Sequence, residues 1–332
     1  MVYIATWFYR EAADEASYYP QAGRGSSSLV HSVYMQIQVP FFISFKHFNP
    51  RARMLFFTNM PADQLPTYLR DTLRHVDAQV ITLAYHCRPP RQWFKAWANQ
   101  FYLYDILRYM EPHLQQDDLL AILDADCLCL QPLDPLFLQA QRDGSALYAL
   151  PQARNYSSNG TSIEQMETLY QAHYGQTHTL HYFGGELILL RADALQAVNR
   201  EFTTLARYNF NLPPNAPRLH EEAHFMSVIA AHLRLDHPTA NPYIKRLWTH
   251  PRFNTVSPGD ETLAIWHLPY EKKRGLHRLY RHLLRHGLQI TDDNDFRHRA
   301  SAYCGIPRIT PAKRLNDLWL RAGWISRRIA NR

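Results

Sequence analysis

The sequence predicts an α/β fold, a mostly parallel sheet flanked by helices and followed by a helical tail. Three observations predict it. Short apolar runs alternate with amphipathic segments from residue 2 to residue 130, the pattern of strands joined by crossover helices. One of those runs, LLAIL at 119–123, is apolar throughout, as a strand buried on both faces requires. Two carboxylates, Asp124 and Asp126, follow it directly, and ligands of parallel sheets bind beyond the carboxyl ends of the strands.

The elements follow in order. VYIATWF at the start reads as a strand. Residues 30–47 are apolar enough for a helix, or for a pair of helices divided at Pro40. RMLFFTN is a buried strand ending at Asn59, and Pro61 or Pro66 then opens a helix through His75 with Leu69, Leu73 and Val76 on one side. AQVITLAY is a third strand. Trp93, Trp97, Phe101, Tyr104 and Leu107 recur every three or four residues, which predicts a helix over 91–110. Beyond the two acids, GGELILLR reads as a strand, HEEAHFMSVIAAHL as a helix and LAIWHL as a late strand.

Composition narrows the class. A 332-residue chain that is 46% hydrophobic and 13% aromatic has enough material for a core and is not disordered. The start has no basic segment followed by an apolar run, and no stretch approaches the ~18 apolar residues of a spanning helix. Cys87, Cys127, Cys129 and Cys304 are too scattered for a disulfide framework. Cys127 and Cys129 share one strand face, where they read as buried thiols, and a zinc site lacks its second ligand pair. A cytoplasmic protein is expected. The net charge of +7 is unevenly spread: residues 271–332 hold fifteen of the 36 Lys and Arg residues against five of the 29 Asp and Glu. That asymmetry points to a surface-binding tail more than to a nucleic-acid-binding body, and no RNA-recognition motif is visible.

Asp-Ala-Asp at a strand end lets two carboxylates converge on one hard divalent cation, Mg²⁺ or Mn²⁺, of the kind that bridges to substrate phosphates. Departure of a nucleoside diphosphate needs that charge neutralised. FYLYDILRYM followed by LLAILDADCLCLQPLDPLF is similar to the GT-A glycosyltransferases, especially the glycogenin-like and lipopolysaccharide-galactosyltransferase-like group. The resemblance spans residues 1–275 and is specific around 95–137. It implies a GT-A (Rossmann-like) catalytic domain over 1–275, with 276–332 as a basic helical extension. It also implies a nucleotide-sugar donor, a divalent metal and a hydroxyl acceptor on a glycan or glycolipid.

The same resemblance assigns residues. The family's late His-x-x-Gly-x-x-Lys motif maps onto His267 and Lys273, with Tyr270 replacing the glycine; His267 is then a third metal ligand beside Asp124 and Asp126, and Lys273, or Lys272 in its place, meets the diphosphate. Arg108 stands where the family carries a sugar-contacting arginine, and Asp105 either binds the donor or pairs with Arg108 at i,i+3. Thr6 and Trp7 lie at the strand edge that meets base and ribose.

The remaining candidates come from position and chemistry. Gly184 and Gly185 would let a sugar approach the backbone closely, and Glu186 would bond its hydroxyls. Glu221 and Glu222 open a helix, where carboxylates suit the helix dipole; alternatively one of them faces the acceptor, as general base of an inverting enzyme or as a positioning group in a retaining one. Trp248 and Thr249 are expected on the acceptor side.

Two other classes compete. A haloacid-dehalogenase-like phosphatase also places Asp-x-Asp after an apolar strand, with Asp124 as nucleophile, but it expects Thr or Val at Leu128 and the motif on the first strand. A basic membrane- or RNA-binding protein on a degenerate transferase scaffold fits the tail but not the intact acid pair. In the tail, Thr310 and Pro311 open a helix with Leu315, Leu318, Ala322, Ile325 and Ile329 on one stripe. Lys313, Arg321, Arg327 and Arg328 are expected on the other side and Trp319 at its flank, a pattern suited to an anionic membrane surface or to packing on the body. Last, removing Asp126 is expected to relieve repulsion within the acid pair and to leave stability intact.

Overall fold

The computed structural model describes residues 1–330 apart from 16, 20–22, 91–92, 94–95 and 214, with side chains described as far as Arg321. The chain opens with β1 (Val2–Phe8), makes a small antiparallel ribbon of β2 (Tyr18–Tyr19) and β3 (Gly23–Arg24), and enters α1 (Ser28–Phe48). Ser27 caps this helix, its hydroxyl accepting from the Val30 N–H at 3.3 Å. Pro40 lies inside α1 without dividing it. An interior proline costs about 3 kcal/mol. Around it Val39, Phe41, Phe42, Ile43 and Phe45 are all buried, each worth about 2 kcal/mol, so packing wins and a single helix replaces the divided pair.

Next come β4 (Arg53–Thr58), α2 (Thr67–His75) and β5 (Gln79–Thr82), with Pro66 at the helix cap. The following helix is shorter than its aromatic spacing implies. It is α3 (Tyr102–Met110), preceded by Trp97 at a left-handed φ of 46°. The aromatics upstream serve other contacts: Trp93 meets the ring of Phe210 edge-on at 5.1 Å, and Trp97 lines a cleft. The rest of the expected helical stretch, 91–92 and 94–95, lies outside the described residues.

The second half supplies β6 (Leu119–Leu123), β7 (Cys127–Cys129), α4 (Asp134–Asp143), β8 (Ser145–Ala149), α5 (Ile163–Tyr174), β9 (Phe183–Arg191), α6 (Ala192–Phe210) and α7 (Glu222–His232). It continues through β10 (Ile244–Arg246), the ribbon β11 (Thr249–His250) and β12 (Phe253–Asn254), and β13 (Ile265–His267). Helices α8 (Gly275–Arg285), α9 (Asp293–Cys304) and α10 (Pro311–Ala330) close the chain.

The main sheet has the order β5-β4-β1-β6-β9-β8. The first four strands are mutually parallel, and β9 runs antiparallel to both of its neighbours. Alternate residues of β6 enter opposite layers: Leu119, Ala121 and Leu123 join the core built on α1, while Leu120 and Ile122 join the core built on α3, α6 and α7. A smaller sheet, β10-β13-β7, branches from the strand after the two acids.

Helices α8 and α9 share the α1 core through Leu276, Leu279, Leu283, Phe296 and Cys304. In α10 the outward side chains include Leu315 at 62%, Leu318 at 61% and Trp319 at 77% exposure. Lys313 departs from its expected place on the polar face. It is buried, with Nζ 3.0 Å from Glu271 Oε1 and 2.7 Å from Asp317 Oδ2, because a buried carboxylate on the preceding segment draws it inward. The side chains of Ala322, Ile325, Arg327, Arg328 and Ile329 lie outside the described set. Among the described residues no helix is long and apolar enough to cross a membrane.

Candidate active site

Strand order creates the site. From β1 the chain moves outward through β4 and β5, then returns to the other side of β1 as β6, so the sheet changes direction between β1 and β6. The carboxyl ends of those two strands carry Thr6 to Tyr9 and Asp124 to Asp126, which line one cleft. Because β9 is antiparallel to β6, its first residues, Gly184 to Glu186, arrive at the same end, and the Asp124 N–H donates to the Glu186 carbonyl at 3.2 Å. The small sheet completes the arrangement. Its register sets His267 opposite Cys127 and Arg246 opposite His267, and the Leu268 N–H donates to the Asp126 carbonyl at 3.0 Å.

Three ligand atoms converge, one each from Asp124, Asp126 and His267, all within 4.8 Å of one another. His267 Nε2 is 3.2 Å from Asp126 Oδ2 and 3.5 Å from Asp124 Oδ2. On the other side of the ring, Nδ1 is 3.3 Å from Glu186 Oε1, and Arg246 pairs with that same oxygen. Two carboxylate oxygens and an imidazole backed by a third carboxylate fit a divalent ion such as Mn²⁺ or Mg²⁺.

The electrostatics are those of a balanced buried cluster. Burial works against ionising Asp126, but Lys272, which pairs with it directly, and His267 outweigh burial and hold its carboxyl well below the usual range. Burial and the Asp126 charge push Asp124 up, to about 7. Its side chain keeps 41% of its surface open to the cleft, so water offsets part of that push. Burial opposes a charged His267, yet Asp126 and Glu186 raise it to about 9. Glu186 resists its own burial through Arg246 and His267, which bring it down to about 2.

The two helix-opening acids divide their tasks. Glu221 stands at the N-cap position of α7, its side chain held by Tyr182 and Asn159, with His224 Nε2 3.3 Å from its Oε1. Burial raises its carboxyl to about 7. Glu222 also faces the cleft, but its buried Oε2 has no hydrogen-bond partner. Burial and the neighbouring Glu221 push its carboxyl well above the usual range.

By sequence the chain matches no family profile and no curated protein. By structure it is similar to the galactosyltransferase LgtC solved with donor and acceptor sugar analogues: 11% identity over 90% of this chain and 100% of that one, TM-score 0.51. Mouse xyloside xylosyltransferase 1 in its apo form aligns at 12% identity over 80% and 97%, TM-score 0.44. The fold is GT-A. This conclusion rests on the likeness to LgtC together with the mixed sheet described above.

Within this GT-A frame the remaining candidates separate. Thr6, Trp7, Gly184, Gly185 and Trp248 line the cleft with the acids. Thr6 Oγ1 is buried without a partner. The glycines face neighbouring carboxylates: a Cβ at Gly184 would collide with Glu186 Oε2, and one at Gly185 would stand 2.8 Å from Glu222 Oε1. Lys272 lines the cleft and Lys273, half-buried in the same turn, does not.

Asp105 and Arg108 are turned to structural contacts rather than to the cleft or to each other. Asp105 Oδ2 accepts from the N–H groups of His86 and Cys87 at 2.9 Å each, and Arg108 donates to Thr203 Oγ1 at 3.1 Å and to Cys87 Sγ at 3.0 Å. Thr249 is buried behind Trp248, its hydroxyl donating to Glu271. Sequence reading gave no sign of Tyr34, Asn159, Tyr182 or Arg246 at the site. Arg246 lies 60 residues from its partner Glu186, and only strand register brings the two together.

Proposed function

We propose that this chain is a metal-dependent glycosyltransferase that moves a hexosyl group from a nucleotide-sugar donor to a hydroxyl of a glycan or glycolipid acceptor. The observation that carries the reading is the convergence of Asp124, Asp126 and His267 at the switch point of a GT-A sheet. These three residues would hold Mn²⁺ or Mg²⁺, which supplies Lewis-acid neutralisation of the departing diphosphate. Lys272 lies beside Asp126 and adds a cation for the same diphosphate. Base and ribose meet Thr6 and Trp7, and the acceptor enters between Trp248 and the Gly184–Gly185 segment. Glu222 donates to a sugar hydroxyl, Glu221 fixes Tyr182 and Asn159 around it, and Glu186 orients His267. The catalytic unit is proposed to span 1–275. The phosphatase alternative fares worse, because the acids follow the fourth strand along the chain of a parallel set rather than the first. A panel of sugar nucleotides incubated with Mn²⁺, Mg²⁺ or chelator tests the reading: one donor should release its nucleoside diphosphate only with metal.

We further place the acceptor at an anionic membrane, on its inner face, in the synthesis of a surface glycan such as lipopolysaccharide or capsule. Leu315, Leu318 and Trp319 project from α10 in a segment rich in Lys and Arg, the combination that anionic lipid surfaces bind. Replacing Leu318 and Trp319 with Glu should release the protein from phosphatidylglycerol-containing vesicles while leaving transfer to a soluble acceptor unchanged. Equal binding by variant and wild type would remove the membrane from the account.

A further inference from the structure

The C-terminal helix is tied to the turn beside the cleft by a buried ion pair. Lys313 stands in the first turn of α10, where a lysine ordinarily keeps its head in water. Its side chain is instead fully buried, and its ammonium lies 3.0 and 3.1 Å from the two oxygens of Glu271, itself fully buried. Asp317, one turn on, accepts from the same ammonium at 2.7 Å. Glu271 also accepts from the Thr249 hydroxyl and, at 2.8 Å, from the Gly275 N–H.

Glu271 is joined to the site in two ways. Glu271 immediately precedes Lys272, whose ammonium pairs with Asp126 at the metal centre. Thr249 immediately follows Trp248, which lines the cleft. One carboxylate therefore ties together three segments distant in sequence: the start of α10, the turn over 269–274 and the Trp248 wall. A buried ion pair is weak as a source of net stability, since well-packed apolar groups often replace it without loss. Its directional bonds instead fix a register between segments.

We propose that Lys313 is a positioning residue: by anchoring Glu271 it holds Lys272 on Asp126 and Trp248 against the cleft, so that the seating of α10 is felt at the donor site. The inference rests on reading that cleft as a donor site. It also means that removing the tail disturbs the site directly, quite apart from any membrane.

The test uses the full chain carrying Lys313→Met together with Glu271→Gln, which removes both charges, and beside it the milder Asp317→Asn. Hydrogen exchange of the 269–274 amides and affinity for UDP, GDP and ADP in Mn²⁺ are measured, with melting temperature as the control for folding. The expected result for the folded double variant is faster exchange across 269–274 and nucleotide affinity lower by about tenfold, the size of one lost hydrogen bond to a charged group. Asp317→Asn should shift both in the same direction by less, and it decides the matter if the double variant does not fold. Unchanged exchange and affinity in a folded variant would overturn the proposal. If the wild type binds none of the nucleotides but the exchange still responds, the anchoring stands and the donor reading fails.

Discussion

Glu186 stands 3.3 Å from Nδ1 of His267, on the side of the ring away from Asp124 and Asp126. A carboxylate behind a ligand histidine fixes the ring and raises its basicity, and losing such a partner costs about 10- to 100-fold in metal affinity or activity. Glu186→Gln should accordingly weaken Mn²⁺ binding by about tenfold, read by titration with electron paramagnetic resonance. Undiminished binding would reduce Glu186 to a partner of Arg246.

The two aspartates should differ in stability. Sequence alone treats them as a repelling pair, whereas Asp126 is buried against Lys272 and His267 and Asp124 is open to the cleft. Asp126→Ala leaves two buried cations without their partner and should cost about 3 kcal/mol in metal-free protein, while Asp124→Ala should cost little. Thermal melts in chelator compare them, and equal losses would contradict the pairing seen here.

The pair Glu221–Glu222 predicts a stability that depends on pH. Both carboxyls are raised in the folded chain, chiefly by burial. A raised acid favours the protonated form in the native state, so its contribution is complete below the unfolded value near 4.5 and is lost as pH rises toward the folded value, about 7 for Glu221. Glu222→Gln, which removes the acid whose Oε2 lacks a partner, should raise the melting temperature at pH 8 by roughly 3 °C and leave it unchanged at pH 5. An equal gain at both values would assign the effect to packing.

Trp248 tests the proposed division of the cleft between donor and acceptor. It lines the cleft and meets Phe253 at 5.8 Å between centroids. An aromatic contact is worth about 1 kcal/mol, so Trp248→Ala should raise the acceptor KM by about fivefold while metal-dependent donor hydrolysis stays near wild type.

Much of this was legible in the sequence, for identifiable reasons. An unbroken apolar run into Asp124 and Asp126 has few readings other than a buried strand ending at a sheet mouth, and β6 is that strand. Likeness to a known motif pointed to His267 more than 140 residues away, a juxtaposition that local pattern cannot supply. Periodicity misled where aromatics served something other than a helix face: Trp97 lines the cleft from a left-handed backbone. The charge pattern of the tail misplaced Lys313 because its partner, Glu271, is met only through the tertiary fold. Asp105 and Arg108 sit at a familiar spacing, yet both are committed to backbone and side-chain contacts around Cys87.

The central claim is metal-dependent cleavage of a sugar–diphosphate bond in this cleft, and donor hydrolysis tests it most directly. Purified wild type, Asp124→Ala and Asp126→Ala are each incubated with a panel of sugar nucleotides, with Mn²⁺ and with chelator, and the release of nucleoside diphosphate and of inorganic phosphate is followed. The account predicts that wild type releases a nucleoside diphosphate from at least one donor only when metal is present, and that either substitution abolishes it. Release that persists in chelator, or release of inorganic phosphate in place of a nucleoside diphosphate, would contradict it.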